Sequence, residues 1–286
     1  MPEKIGPHLL GRIPSKPDDR NYRLENFVGL GEATLDPAAD AIDLIDAGLA
    51  ELQKTTVSYK KWAATVYKDP TVTHWWQALN YFATAKQVLA PAPAPADSIW
   101  TNSEPTLDQG DYGTCVGNGE AQFGNTLPFD DKFDETDARA IYYEATILDG
   151  SPDDPDAKGG GQQGATVLSG EKAMKNRGRI ASYALTTSLD TAKSWLATKG
   201  PIVVGSDWYY DMFYPNADNY ITATGSYQGG HCYLLLGYHP SPDSFEFLNS
   251  WGASWGDNGH FFMKSADLAK LMKNGGEMWT AVELAL

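Results

Sequence analysis

Hydrophobic positions keep a helical spacing through the first part of the chain and change character towards its end. Behind Asp36-Pro37, a capping residue followed by a proline suited to the first helical position, Ile42, Ile45, Leu49 and Leu52 stand three and four apart. That spacing predicts an amphipathic helix. A second helix is predicted over Thr73 to Val88, opening at His74, Trp75 and Trp76 and continuing through Leu79 and Phe82. Its tryptophans read as packing residues, because large aromatics mostly serve burial. The stretch Ala90-Pro91-Ala92-Pro93-Ala94-Pro95-Ala96 sustains neither a helix nor an inner strand and reads as an extended linker. Beyond it, helices are predicted over Cys115 to Leu127, Asp137 to Leu148, Val167 to Asn176 and Leu189 to Thr198. Short β-branched and aromatic runs then dominate: Pro201–Gly205, His231–Tyr238, Phe245–Leu248 and His260–Met263. Helices first and strands afterwards predict an α+β domain over residues 98–286. Residues 1–97 form a mainly helical N-terminal extension that ends in the linker, 90–96.

Composition narrows the function classes. The 286 residues carry 22 basic and 37 acidic side chains, a net charge of −15, and 42% are hydrophobic, so the chain can build a core. Residues 1–100 account for −2 of that charge and residues 101–286 for −13. Such acidity repels phosphates and argues against nucleic acid as a partner. Only 2 cysteines, Cys115 and Cys232, exclude a disulfide-stapled scaffold and a four-cysteine zinc site. No apolar stretch has the length of a membrane span, and the first residues lack the apolar core of a signal peptide. The expected location is therefore a cytoplasm, or a particle assembled there.

Three segments could carry chemistry. In Asp108-Gln109-Gly110-Asp111-Tyr112-Gly113-Thr114-Cys115, the cysteine follows a glycine-containing turn and opens a predicted helix. The positive end of the peptide dipoles favours a thiolate there. Taken alone, a free cysteine is more often a small buried apolar residue. Far downstream, Gly229-Gly230-His231 starts an apolar strand, and a thiol nucleophile needs an imidazole to exchange its proton. Asn249, in Asn249-Ser250-Trp251-Gly252, ends another strand, where it can orient the imidazole while Trp251 shields that bond from water.

Together these segments resemble the papain-like cysteine peptidases. Gln109 stands six residues before Cys115, Gly230-His231 matches the family's strand start, and Asn249 to Gly252 with Trp255-Gly256 matches its Asn-Ser-Trp-Gly pattern. The order Cys, His, Asn also agrees. Weaker likenesses are Arg139 to Tyr143, similar to the family's second helix, and Gly164-Ala165-Thr166-Val167, similar to the segment lining its main specificity pocket. The resemblance covers roughly residues 98–286. It implies a two-lobed papain-like fold, with a helical lobe and an antiparallel barrel-like lobe, and a cysteine endopeptidase with no cofactor and a protein or peptide as substrate. It implies Cys115 as nucleophile, His231 as acid and base, Asn249 as its orienting residue and Gln109 as an oxyanion donor, with Trp251 in support. Gly160, Gly161, Gly164, Val167 and Gly230 would line the substrate cleft. Tyr112 and Val116 replace a cysteine and a tryptophan of the better-known members, which resembles the disulfide-free bacterial and viral branch. Pro17 to Tyr22 also resembles a segment near the start of that branch's domains. The helical propeptide pattern of the lysosomal members is not recognisable in residues 1–97.

Other readings stand beside this one. A different thiol amide-directed enzyme, such as a cell-wall peptide hydrolase or a transglutaminase-like enzyme, would usually orient its histidine with another residue than Asn249. A binding or structural homologue would have had no need of Gln109, Cys115, His231 and Asn249 together. Residues 1–97 could occlude the cleft, dock a partner or pack behind the fold. Cys232 alternates with His231 along a strand and so reads as core. His8, His74, His239 and His260 lack metal-ligand spacing, so no metal is expected. The acidic run from Asp130 to Asp156 reads as a solvated face.

Overall fold

Helix α1 (Cys115–Gly124) is the axis of the fold, and all ten of its residues are buried. A helix with no solvent face must be covered on every side, and here helices cover one side and a sheet the other. Helices α2 (Glu135–Leu148) and α3 (Val167–Asn176) pack beside it, and strand β7 (Tyr227–His239) passes across it. Close approach is possible because Gly117 faces α2: a Cβ there would run into the Ala138 carbonyl oxygen and lie 2.8 Å from Tyr142 Cβ. Local chemistry fixes the helix starts. Asp134 accepts hydrogen bonds from the backbone of Thr136 and Asp137 and forms a capping box with Asp137, while Thr166 caps α3 at Ser169. Helix α1 stops short of the expected Leu127 because the Asn125 side chain bonds both the N–H and the carbonyl of Phe133, turning the chain away.

The computed structural model describes residues 10–15, 22–23 and 98–284. The helices expected behind Asp36 and over Thr73 to Val88, and the Ala-Pro linker, lie outside the described residues. Among those described, the remaining strands are β1 (Arg12–Ile13), β2 (Tyr22–Arg23), β3 (Ser98–Ile99), β4 (Ala165–Thr166), β5 (Ile180–Thr186), β6 (Ile202–Tyr209), β8 (Ser244–Leu248), β9 (His260–Lys264) and β10 (Glu277–Leu284). Helices α4 (Leu189–Leu196) and α5 (Ser265–Lys273) complete the set. The larger sheet has the order β2-β5-β10-β6-β7-β8-β9, with β3 also paired to β7, and it is antiparallel except at β2-β5. The expected α+β architecture is what forms, a helical lobe against an antiparallel sheet. Two central-sheet strands, β5 and β10, and helix α5 were not expected from the sequence.

Strand register brings distant residues to the middle of this sheet. On β6, Gly205 faces Glu277 of β10 on one side and Cys232 of β7 on the other, and Ser206 faces His231. Strands β1 and β2, from the expected N-terminal extension, pair in parallel with β4 and β5. No helix among the described residues is long and apolar enough to cross a membrane.

Between α1 and α3 the core holds two carboxyls, Glu120 and Glu171, both fully buried and without a hydrogen-bond partner among the described residues. Burial pushes Glu171 up to about 8, and burial together with the neighbouring Glu171 raises Glu120 well above the usual carboxylate range. Both are therefore neutral in the folded protein near pH 6 but ionised once unfolded. Groups raised on folding contribute stability in full below their unfolded value near 4.5, and that contribution is lost as pH rises towards 8. The urea midpoint should accordingly fall between pH 5 and pH 8, and Glu171→Gln should flatten that fall, leaving the variant the more stable protein at pH 8. Equal slopes for the two proteins would show that the pair is not the cause.

Candidate active site

The site forms where the start of α1 meets β7 and the loop after β8. Cys115 is the first residue of α1 and is fully buried. His231 lies on β7, also fully buried, and its Nε2 is 2.8 Å from Asn249 Oδ1. Asn249 Oδ1 also accepts the N–H of Ser250 at 2.8 Å, so the amide is fixed with its oxygen towards the ring. In that arrangement Nε2 carries the proton and donates, which leaves Nδ1 as the nitrogen that can exchange one with a substrate or a thiol. Trp251 stacks on the imidazole at 4.7 Å and an interplanar angle of 24°, and Trp208 meets the same ring edge-on at 4.8 Å. The bond between His231 and Asn249 is thus walled off by aromatic surface, which strengthens it by excluding water.

Gln109 is held by its neighbours. Its Oε1 accepts from Ser250 Oγ at 2.7 Å, its Nε2 donates to the Tyr112 carbonyl at 2.8 Å, and its backbone N–H donates to the Ser250 carbonyl at 2.9 Å. Ser250 therefore ties the turn before Cys115 to the loop that carries Asn249. The loop opposite is organised by Asp153, which accepts from the Tyr142 hydroxyl at 2.5 Å and from the backbone of Gly161, Gln162 and Gln163. Burial alone would raise this carboxyl, but those hydrogen bonds outweigh it and hold it below its ordinary value. Asp153 is a buried exception to the solvated face expected between Asp130 and Asp156.

Residues 10–15 lie across the site. The Gly11 carbonyl accepts the Ala165 N–H at 2.7 Å, and β1 pairs with β4 from Arg12 to Ile13. The approach is so close that a Cβ on Gly11 would strike the Gly113 carbonyl, one on Gly164 would strike Gly11, and one on Gly230 would strike Arg12. Of the glycines expected to line a cleft, Gly164 and Gly230 lie against this segment, Gly161 accepts the N–H of the neighbouring Gly113 at 2.6 Å, and Val167 stands beside Arg12 at Gly205. Gly160 does not join them, since it backs onto the turn from Asp154 to Ala157.

Burial dominates the state of the thiol. Burial pushes Cys115 up to about 11, against the lowering effect of backbone hydrogen bonds from Cys232, Gly11 and Val116 and of the nearby Arg12 charge. The lowering expected from a helix start is present but smaller than the loss of solvent. Cys232 packs into the core, its sulfur against Gly119, and both cysteines are unbridged. No cluster of His, Cys, Asp or Glu among the described residues could hold a metal ion. Sequence reasoning missed Trp208, Ser250, Arg12 and Glu277. Ser250 was in view beside Asn249, whereas Trp208 gave no signal beyond an apolar run.

Known proteins resemble this chain at two levels. Residues 153–275 match the model of the papain family cysteine proteases, a stretch that contains His231 and Asn249 and begins after Gln109 and Cys115. A cathepsin B-like CP3 of Giardia intestinalis is 35% identical over 69 residues, 23% of this chain and 23% of that protein. Cathepsin B of Dictyostelium discoideum is 34% identical over 74 residues, 25% of this chain and 24% of that protein. The matched part thus spans about a quarter of these relatives' length. The solved structure of xylellain, a cysteine protease from Xylella fastidiosa, covers 96% of both chains with a TM-score of 0.59 at 17% identity, which makes the fold papain-like.

The aromatic wall yields a test. Trp208 is fully buried against His231, Tyr233, Phe213, Trp251 and Phe261. Trp208→Ala should cost about 3–5 kcal/mol in urea unfolding, and the His231 ring protons should shift in NMR spectra by the loss of the Trp208 ring current while that of the stacked Trp251 remains.

Proposed function

We propose that this papain-like chain hydrolyses peptide bonds, with Cys115 as nucleophile, His231 as its acid and base, Asn249 as the residue that orients His231, and Gln109 as an oxyanion donor. The observation that carries the reading is the 2.8 Å bond from His231 Nε2 to Asn249 Oδ1 beneath Trp251, on the strand that also brings the Cys232 backbone to the Cys115 thiol. Nδ1 of His231 would take the thiol proton as sulfur adds to the scissile carbonyl carbon. The oxygen so charged would be held by the Cys115 backbone N–H and the Gln109 amide, and one such donor is worth about 3 kcal/mol of barrier. Collapse expels the amine, which leaves with the proton from His231. Water then attacks the thioester, giving its proton to the same ring, and the acid departs with Cys115 restored. The rigid mounting of Gln109 between Ser250 and Tyr112 supports its role, because a preorganised donor needs no reorientation as charge develops. A protein or peptide is the substrate in this reading, and no cofactor takes part.

The segment Leu10 to Ser15 makes the resting form self-occluded. It fills the space a peptide would need between Gly164 and Gly230, and its Gly11 backbone hydrogen-bonds the buried Cys115 thiol. Activity then requires the segment to leave, which restores solvent to Cys115.

Two measurements test these statements. Cys115→Ala should abolish cleavage of casein and of fluorogenic peptides, and hydrolysis that persists in the folded variant would remove the assignment. Gly11→Val, whose side chain cannot fit beneath the Gly113 carbonyl, should expel the segment. Alkylation of Cys115 by iodoacetamide at pH 7.5 should then run at least about tenfold faster, the equivalent of ~1.4 kcal/mol. An unchanged rate would show that the segment does not guard the thiol.

A further inference from the structure

Asp153 receives three consecutive backbone N–H groups, those of Gly161 at 2.8 Å, Gln162 at 2.8 Å and Gln163 at 2.9 Å, together with the Tyr142 hydroxyl at 2.5 Å. The carboxylate is buried, so these donors replace the water it has lost. Its own mounting is stiff. The Asp153 N–H donates to Thr146 Oγ1 at 3.0 Å, and Thr146 lies one turn beyond Tyr142 on α2. Tyr142 is fully buried and packs closely on α1 at Gly117. Both members of the pair are thus anchored to the same helix.

The two carboxylate oxygens serve different ends. Oδ1 accepts the Gly161 N–H, and the Gly161 carbonyl in turn accepts the Gly113 N–H at 2.6 Å. Gly113 closes the turn that carries Gln109 and leads into Cys115. Tyr112, whose carbonyl holds the Gln109 amide, lies against Gly161, where a Cβ would stand 2.7 Å from its ring. Oδ2 accepts from Gln162, Gln163 and the Tyr142 hydroxyl, and that hydroxyl oxygen accepts the Gly164 N–H at 3.1 Å. Gly164 precedes Ala165, whose N–H meets the Gly11 carbonyl at 2.7 Å in the resting form. The covering segment keeps that edge with Arg12 fastened to Glu277 at 2.6 Å, and in the proposed reaction a substrate backbone takes it instead. Two hydrogen-bond chains therefore leave one buried carboxylate. One ends at the turn of the nucleophile and the other at the backbone edge of Ala165.

We infer that Tyr142 and Asp153 are a positioning pair for the proposed hydrolysis, setting through Gly161 the turn that holds Gln109 and Cys115 and through Gly164 the backbone edge that receives the peptide. The inference rests on that reading of the function. Neither residue touches substrate. Their contribution is preorganisation: the oxyanion donors and the substrate edge stand in mutual register before a peptide arrives, because one side chain sets both. The two chains can be cut separately. In Asp153→Asn the amide oxygen can keep the three partners of Oδ2, but its NH2 group then faces the Gly161 N–H, donor against donor. That breaks the chain to Gly113. Tyr142→Phe instead deletes the acceptor of the Gly164 N–H and leaves Asp153 its three backbone donors.

The reference for the test is the full chain with Gly11→Val, assayed on a fluorogenic peptide amide. In that background Asp153→Asn should lower kcat about tenfold to a hundredfold, as small misplacements of catalytic donors do, with KM within about twofold. Tyr142→Phe should raise KM about fivefold, the worth of one hydrogen bond, with kcat held. A pair that served stability alone would move neither constant in the folded variants, or both alike, and either result would overturn the inference. The Gly113 N–H gives a readout that needs no turnover. Its short bond to Gly161 places the proton resonance downfield, and Asp153→Asn should move it upfield while Tyr142→Phe leaves it in place. A resonance unmoved by Asp153→Asn would overturn the tie to the turn. Should Asp153→Asn not fold, an unchanged KM in Tyr142→Phe overturns the inference by itself. An upfield shift in Asp153→Asn, with a reference protein that alkylates at Cys115 yet cleaves no peptide, would uphold the tie and overturn the hydrolase reading.

Discussion

The absence of any solvent-facing side on α1 is the constraint on which the rest of the molecule depends. A helix buried all round needs neighbours at backbone distance, hence Gly117 against α2 and the crossing of β7 at Gly119. It also carries its polar residues inward, so Glu120 and its neighbour Glu171 remain in the core as neutral acids rather than as an ion pair. The helix start carries Cys115, fully buried, beneath the segment of residues 10–15.

The sheet contributes register. Because side chains alternate along a strand, His231 can face the cleft while Cys232 next to it packs behind, against α1. The same alternation on β6 puts a glycine beside a serine at the point where β10 delivers Glu277. The His231 imidazole and the Glu277 carboxylate are thereby carried on two strands that flank β6, one residue out of register with each other. The aromatic cluster around Trp208 serves the same end, since five rings contact it and one of them is the imidazole's lid.

Much of this was legible before the structure, and the exceptions have physical causes. Helices α1 to α4 announce themselves through apolar spacing and caps, and Cys115, His231 and Asn249 stand in patterned segments. Strand β5 was hidden because its buried positions include Ser182 and Thr186 while Tyr183 and Leu185 are only partly covered, the reverse of the usual alternation. Strand β10 opens with a buried glutamate and shows no alternation of polarity. Asp153 lay in an acidic run whose other members largely face solvent, and only the backbone N–H groups of a distant loop set it apart. Arg12 and Glu277 are 265 residues apart, so no local pattern joins them. Interactions of that range are set by topology, which a linear reading does not contain.

Strand β2 holds the chain a second time, on β5, beyond the stretch that β1 lays across the cleft. Released from the site, Arg12 would still be tethered through the chain between Ile13 and Tyr22 to that paired strand. On the proposed reading the segment is a competitor whose effective concentration is fixed by its own connection and not by how much protein is present. Dilution cannot relieve it. Only a substrate at sufficient concentration, a cut in the tether or the loss of the anchor on β5 can, which makes the resting state an intramolecular equilibrium that the sheet edge itself holds in place.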